Sequence, residues 1–161
     1  MATLPASSLA GAFNFEVGLR LTRDPNTEIG NGGFQECSGL EIEMDVQELI
    51  EGGRNDGTVR LAGRGKYSPI VLKRGMFVPE GGKVASEMWV WMQNILTGTR
   101  PVARYDGTID LMSPDRSRPL ATWLFFRGLP SKISGPQFNA KTGEIAIEEI
   151  TIHHEGLQLK V

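Results

Sequence analysis

Strict alternation of apolar and polar side chains over residues 38–47 constrains the fold of this chain more than any other feature of its sequence. The apolar set is Leu40, Ile42, Met44 and Val46, and the polar set is Glu41, Glu43, Asp45 and Gln47. Successive side chains of a β-strand point to opposite faces of a sheet. A period of two over this length therefore predicts a half-buried strand with an acidic outer face.

A glycine-rich reversal over residues 51–57 follows this acidic strand, and its Gly-Gly and Asp-Gly steps favour a turn. The chain returns through a basic limb, whose positive side chains are Arg60, Arg64, Lys66, Lys73 and Arg74. Opposite charges that face each other across two strands, or across a subunit boundary, favour one register over slipped ones. The reversal is too long and polar for a tight hairpin. We therefore interpret residues 38–75 as an extended arm and strands, in which residues 48–59 reach another surface.

Period-two patterns elsewhere predict most of the remaining strands. In chain order we expect a strand over residues 13–22, turns at 24–26 and 29–33, a strand at 59–61, a glycine-broken basic turn at 63–66 and a strand at 70–73. Later in the chain we expect a hairpin of strands over 108–112 and 121–129, ended by Pro130, and a last strand over 145–152 with a bulge at Glu148 and Glu149.

Residues 84–96 form the one convincing helical pattern, because apolar side chains recur there at three- and four-residue spacing. These side chains are Val84, Met88, Met92 and Ile95. Gly98 follows where helices commonly end. About eight strands and one helix predict a mainly β fold, a small antiparallel barrel or sandwich with one flanking helix, in a single domain over residues 1–161.

Composition excludes several classes of function. With a formal net charge of −2, the chain has no global basic field that would draw it to nucleic acid or to an anionic membrane. Its one cysteine, Cys37, allows no internal disulfide, which suits a reducing compartment. No stretch approaches the length of a membrane span, and no basic segment precedes the first apolar stretch. We therefore expect synthesis in the cytoplasm without a signal peptide.

No catalytic, cofactor or metal site stands out in the sequence. His153 and His154 lie close to two glutamates, but adjacent strand residues face opposite sides, so a solvated strand end is favoured over a metal site. The stretch 63–67 lacks the glycine spacing and the hydroxyl of a phosphate loop. Cys37 has no base near it in the sequence and is expected to be a small buried hydrophobic side chain. We expect a protein with no enzymatic activity and no cofactor.

Short segments in a fixed order carry a resemblance to a known family. They are FQECSGL at 34–40 with EGG at 51–53, VLKRG at 71–75, WVW at 89–91, GEIAIE at 143–148 and HEGL at 154–157. Over nearly its whole length, from residue 13 to residue 157, the chain resembles the inner tube proteins of contractile phage tails and of phage-tail-like contractile injection systems.

This resemblance implies a small β-barrel flanked by one helix, similar to phage tail tube proteins and to the ring proteins of type VI systems. It implies that six copies close into a ring and that rings stack into a tube around a lumen. Cargo, either a protein effector or DNA, would pass through that lumen. The implied partners are further copies of the chain, a sheath protein, and baseplate and tail-terminator proteins. The implied location is a particle that can be released outside the cell, with no membrane insertion by the chain alone.

The charged limbs of the arm supply the candidate residues for such an assembly. The candidates for inter-subunit or lumen-facing positions are Glu41, Glu43, Asp45, Gln47, Glu51, Arg54, Asn55, Arg60, Arg64, Lys66, Lys73 and Arg74. Two alternatives stay open. A tube-initiating or baseplate-joining ring paralogue would share the same resemblance. A monomeric ligand-binding β-sandwich would instead use Trp89, Trp91 and Trp123 as stacking platforms.

Overall fold

Ten strands and one helix make up the part of the chain that the computed structural model describes, residues 9–30 and 33–161. The strands are β1 Phe15–Leu21, β2 Asp24–Ile29, β3 Phe34–Ser38, β4 Ile42–Leu49, β5 Val59–Tyr67, β6 Ile70–Gly75, β7 Tyr105–Met112, β8 Pro119–Ser134, β9 Ile147–His153 and β10 Gly156–Lys160. The helix, α1, spans Glu87–Leu96 between β6 and β7. All described strand pairs are antiparallel, so the prediction of a mainly β antiparallel fold with one flanking helix is confirmed.

Two sheets share β8, the longest strand. The first half of β8 pairs with β7 and β10, and its second half pairs with β9. Between the two halves, Phe126 and Arg127 of β8 stand opposite the single residue Asp106 of β7, and Arg127 has a left-handed φ of 54°. A bulge of this kind bends a strand. Here it carries β8 from one sheet into the other.

Because the two sheets share β8, their eight strands form one continuous order, and this order does not close into a barrel within the described residues. The order is β2-β1-β7-β8-β9-β6-β3, and β10 also pairs with β8. Strands β2 and β3 therefore lie at opposite ends of the order, and β10 is a further edge. Of the two shapes expected from the sequence, the described subunit therefore does not have the closed barrel.

Side chains that alternate inward from both sheets form one apolar core. Strands β6 and β9 contribute every second residue to it, as the period of a strand requires. Helix α1 packs on β8 and adds Met88 and Trp91. The core consists of Leu19, Leu21, Phe34, Ile70, Leu72, Met88, Trp91, Tyr105, Ile109, Phe125, Ile150, Ile152 and Leu157.

An ion pair lies inside this core between β6 and β9. The Nε of Arg74 donates to Oε1 of Glu148 over 2.6 Å, and each residue is 1% exposed. Arg74 also donates to Glu87 at the start of α1 over 3.1 Å. The indole N–H of Trp89 donates to the second oxygen of Glu148 over 2.8 Å. The pair therefore joins two strands of the sheet to the helix that covers them.

The bulge expected at Glu148 and Glu149 is wrong, because β9 pairs with β6 without any shift of register. Glu148 lies on the same face of β9 as Ile150 and Ile152, all of them buried. The apolar pattern of the sequence breaks here because a glutamate occupies a core position, not because a residue is inserted. The ion pair with Arg74 offsets the cost of burying the Glu148 carboxylate there.

Two prolines, Pro25 and Pro130, lie inside strands at places where a turn and a strand end were expected. The chain reverses at Thr22 and Arg23, and β2 already begins at Asp24, so the turn expected over 24–26 is misplaced. Pro130 continues β8 at a point where the register with β9 shifts, so the expected end of the strand there is wrong. Proline is tolerated on edge strands and at bulges, where no ladder hydrogen bond is lost.

Helix α1 begins three residues later than residue 84, and Gly98 follows its end with a left-handed φ of 91°, as the sequence predicts. The N-cap, Ser86, makes no side-chain hydrogen bond to the helix.

The bend expected at 29–33 is described only in part. Gly30 has a φ of 79°, and residues 31–32 lie outside the described residues.

Candidate assembly surface

Strands β4 and β5 form a separate two-stranded sheet, and we call these strands and the loop over residues 50–58 at their tip the arm. Neither strand pairs with any other described strand. Strand β4 has eight residues and is therefore about 26 Å long. Over residues 41–67, only Asp45, Thr58, Val59 and Gly63 are even half-buried. The rest of the subunit therefore covers neither face of the arm.

The register of the arm places its acidic limb opposite its basic limb. Glu43 faces Lys66, and Glu48 faces Arg60. The Oδ1 of Asp45 lies 2.9 Å from Nζ of Lys66, and the hydrogen bond and charge of Asp45 raise the pKa of this lysine. Exposed pairs of this kind add little to the free energy of folding, but they disfavour slipped registers. The charge pattern seen in the sequence is therefore matched inside the arm itself.

A bulge beside Asp45 shapes the middle of the arm. At this point Gly63 and Arg64 of β5 stand opposite the single residue Asp45 of β4. A Cβ on Gly63 would lie 2.2 Å from the backbone oxygen of Asp45, so only glycine fits. The basic turn expected over 63–66 is wrong, because the glycine bends a continuous strand instead of ending it.

An apolar row lies exposed on the half of the arm nearer the body. Ile42 is 64% exposed, Met44 is 49% exposed and Val46 is 54% exposed. Tyr67, directly opposite Ile42, is 39% exposed. The prediction of a half-buried strand is therefore wrong for the isolated subunit. The alternation is present, but no other element of the described chain packs against its apolar face.

Nearer the tip, the apolar side chains lie on the opposite face of the arm. Leu49 pairs with Val59 and Leu61 pairs with Gln47, and by alternation these residues share a face with Asp45. Leu49 and Leu61 are also exposed. The arm thus presents uncovered apolar surface on both of its faces, in two successive zones.

The tip of the arm is polar. Glu51, Arg54 and Asn55 are all exposed in the loop over residues 50–58. The Nε of Arg54 donates to Asp56 over 3.0 Å, and its backbone N–H donates to the carbonyl of Glu51 over 3.2 Å. Ile50, 81% exposed, is a large apolar side chain at the first position of this loop.

The remaining predicted site residues lie at the base of the arm or beyond it. Glu41 accepts a hydrogen bond from the hydroxyl of Ser68 over 2.7 Å. Lys73, on β6, lies 3.1 Å from the carboxylate of Glu36 on β3 and also pairs with β9. Arg74 is buried in the core and so offers no surface to a neighbour in this subunit. Apart from Lys73 and Arg74, the ten candidates, including Glu41, lie together on the arm and its base.

The residues considered for chemistry take packing roles. Burial raises the pKa of the Cys37 thiol to about 11, so the reactive thiolate is disfavoured. Trp91 is 4% exposed and donates to the carbonyl of Ala103 over 2.9 Å, so it is not available as a stacking platform. Trp123 lines an apolar cleft of about 410 Å³ beside Cys37 and Phe15. In residues 9–30 and 33–161, no group of three metal-ligating side chains comes together.

Sequence reasoning missed the apolar part of this surface. Leu49, Leu61 and Tyr67 were not among the candidates, because alternation alone suggests that such side chains are buried. The available signal was the position of Leu49 and Ile50 directly before a long polar reversal. A two-stranded hairpin alone has no further strand or helix with which to cover such a pair.

Comparison with known proteins gives one family and a consistent set of folds. The family model of the T4-like virus tail tube protein gp19 matches residues 11–158. No curated protein matches the chain. Within the described residues, no helix has the length and apolar character needed to cross a membrane.

Three solved structures have a similar chain fold. A chain of the anti-feeding prophage (AFP) baseplate is 22% identical, with a TM-score of 0.76, over 96% of this chain and 97% of that one. A chain of the extended sheath-tube complex of PVC, an extracellular contractile injection system, is 23% identical, with a TM-score of 0.75, over 99% of each chain. A chain of the PVC sheath/tube terminator is 24% identical, with a TM-score of 0.74, over 97% of this chain and 99% of that one. Since the tail tube model spans nearly the whole sequence, the chain belongs to the T4-like virus tail tube protein gp19 family.

Proposed function

We propose that this protein is the tube subunit of a phage tail or phage-tail-like injection particle, with copies stacked in hexameric rings around a lumen that carries a protein effector or DNA. A sheath protein around the tube, and baseplate and tail-terminator proteins at its ends, complete the proposed set of partners. Membership of a tail tube family makes the protein structural and not an enzyme. The similar solved chains come from baseplate, sheath-tube and terminator structures, which supports this choice of partners.

The observation that carries the proposal is the arm, which is apolar on both faces and covered on neither. A two-stranded sheet is at best marginally stable alone in water. In a tube of identical copies, every arm has neighbours within reach. Because the apolar zones lie on opposite faces, we propose that each arm is held between two other copies, one covering the row of Ile42, Met44 and Val46 and the other covering Leu49 and Leu61.

The open edges of the sheet support the same conclusion. Strands β2, β3 and β10 each lack a strand partner on one side among the described residues. Unpaired edges template aggregation unless they are covered. A closed ring of copies in head-to-tail contact would cover them, since each edge meets a different edge of the next subunit.

The experiment that tests the proposal removes the apolar row. We expect the wild-type chain to form rings or tubes, seen by negative-stain microscopy. The variant Ile42→Ser, Met44→Ser, Val46→Ser should elute as a single subunit in size-exclusion chromatography. Its circular dichroism and melting of the body should remain close to the wild type, because these side chains are exposed in the subunit.

The matched control is Val78→Ser with Val84→Ser, which removes exposed apolar side chains outside the arm. This control should assemble like the wild type. Strictly monomeric wild-type protein at high concentration would contradict the proposal. Normal assembly of the arm variant would show that the arm is not the contact that holds the copies together.

A ring that joins the tube to the baseplate would share the family and the arm. Copy number separates this alternative from the proposal. Quantitative mass spectrometry of purified particles should give many copies of the tube subunit per baseplate and a ratio close to that of the sheath protein. A ratio fixed at one ring per particle would favour the baseplate-joining paralogue.

A further inference from the structure

Two short chain segments connect the arm to the body, and they contact each other. Residues 39–41 lead into β4, and Ser68 with Pro69 lead out of β5. Gly39 has a left-handed φ of 92°, and a Cβ there would lie 1.9 Å from the backbone oxygen of Pro69. Next to this contact along both segments, the Ser68 hydroxyl donates to the carboxylate of Glu41 over 2.7 Å. The two connecting segments are therefore in close contact and hydrogen-bonded where the arm begins.

His154, from the turn between β9 and β10, closes this crossing on the body side. Its Nε2 lies 3.1 Å from the carbonyl oxygen of Ser68, and its Nδ1 lies 3.0 Å from the carbonyl oxygen of Gly156. Its ring lies between those of Tyr67, the last residue of β5, and Phe125 of the core, with centroids 5.4 and 5.6 Å away. The imidazole thus contacts the arm on one side and the body on the other.

We infer that His154, Ser68 and Glu41 form a latch that fixes the direction of the arm relative to the body. The arm has no strand pairing to the body in the described residues, so its direction depends on this crossing. The ring of His154 supplies packing against Tyr67. In the tautomer that carries its proton on Nε2, it also donates a hydrogen bond to the Ser68 carbonyl in the segment that leaves the arm. The hydrogen bond from Ser68 to Glu41 then connects this segment to residues 39–41, which lead into β4. His154 is a positioning residue in this scheme.

The consequence of the latch rests on the proposed function. An arm held in one direction loses less conformational freedom when it docks on other copies than an arm that swings, because the ordering cost is met during folding. The latch itself is a property of one subunit. It can therefore be measured in subunits that are kept from assembling.

The test measures the arm's direction in the full chain by electron paramagnetic resonance. Spin labels are placed at Asn55→Cys on the arm tip and Lys132→Cys on β8. The background carries Cys37→Ser together with Ile42→Ser, Met44→Ser and Val46→Ser, so that the arm is read in subunits that do not dock on one another. Labelled chains are diluted with unlabelled ones, so that only distances within one subunit are read. We expect one narrow distance distribution. His154→Phe, which keeps a ring against Tyr67 but removes the bond to Ser68, should broaden it about twofold.

His153→Phe is the matched control, because His153 is the exposed preceding residue at the end of β9, and it should leave the distribution narrow. A wild-type width in His154→Phe would overturn the latch. If that variant does not fold, Glu41→Ala examines the same latch from the exposed side. Broadening then supports the latch, and a wild-type width overturns it. Neither result depends on whether rings form, so failure of the latch leaves the tube proposal standing.

Discussion

At the scale of single residues, Glu148 shows how a charge is kept in an apolar core. Its carboxylate is bonded to Arg74 and Trp89, and Arg74 is also flanked by the rings of Phe34 and Phe77 at 5.5 and 5.4 Å. Removing one member of a buried pair leaves the other charge without full compensation. The loss is therefore expected to exceed that of an ordinary core substitution of similar size.

Glu148→Leu is predicted to lower the free energy of unfolding by about 3–5 kcal/mol, because it leaves the Arg74 guanidinium buried beside an apolar side chain. The double variant Arg74→Met, Glu148→Leu should lose less, since both charges are gone. Urea unfolding of the unassembled subunit provides the measurement. A double variant as unstable as the single one would mean that shape, and not charge pairing, accounts for the loss.

His154 gives the subunit a pH-dependent stability. Burial lowers the pKa of its imidazole, and the hydrogen bonds to the carbonyls of Ser68 and Gly156 oppose this only in part. The folded state therefore binds the proton less readily than the unfolded chain, whose histidine has a pKa of about 6.5. The contribution is complete above that pH. It is lost as the pH falls from about 6.5 toward the lower folded pKa.

The melting temperature should accordingly fall between about pH 7.5 and pH 5.5, where carboxylates and lysines change charge little. His154→Phe should remove most of this fall, because a phenyl ring cannot bind a proton. His153→Phe should keep most of it, because burial is the main cause of the lowered pKa of His154 and the charge of His153 is a smaller one. Equal decline in all three proteins would assign the pH dependence to other groups.

At the scale of elements, the arm depends on one glycine in its bulge. Gly63→Ala would bring a Cβ to 2.2 Å from the backbone oxygen of Asp45, so β4 and β5 could no longer keep their register. Gly65→Ala is the matched control two residues away, where the nearest atom is the backbone oxygen of Glu43 at 4.0 Å.

We predict that Gly63→Ala loses assembly in negative-stain images, while the core of the body, which does not include the arm, melts near the wild-type temperature. Gly65→Ala should assemble normally. Assembly of Gly63→Ala at the wild-type level would mean that the register of the arm is unimportant for contacts between copies. A lowered melting temperature would mean that the arm supports the body.

At the scale of the whole molecule, the acidic face of the arm is predicted to matter for assembly and not for folding. Glu43→Lys with Asp45→Lys places two positive charges beside that of Lys66 on an exposed face. Because the face is exposed, the melting temperature of the subunit should stay close to the wild type. Ring stacking or lumen contents should change, as judged by microscopy of assembled particles.

Glu16→Lys is the control for this change, because it breaks an exposed pair between β1 and Arg116 at 3.2 Å, away from the arm. It should cost a similar small amount of stability and leave stacking unchanged. A clear drop in the melting temperature of the arm variant would place Glu43 and Asp45 in a structural role within the subunit. Altered stacking in the control would show that any exposed charge change disturbs assembly.

The sequence alone predicted those features that depend on neighbours along the chain. Period-two alternation located β1 and β6, and three- and four-residue spacing located α1. Charge segregation between the limbs of the arm also agreed with the register of β4 and β5, because opposite charges across a strand pair are a local property.

Tertiary structure alone decided which other parts of the chain cover each face of a strand. Alternation in β4 defines two faces, but only the packed chain shows that Ile42, Met44 and Val46 are left uncovered. The pairing of Arg74 with Glu148 joins residues 74 positions apart, so neither side chain could be assigned to the core from its own surroundings in the sequence. The path of β8 between two sheets likewise depends on a bulge that the sequence does not reveal. Local pattern sets which side chains share a face, whereas burial is set by contacts between distant segments.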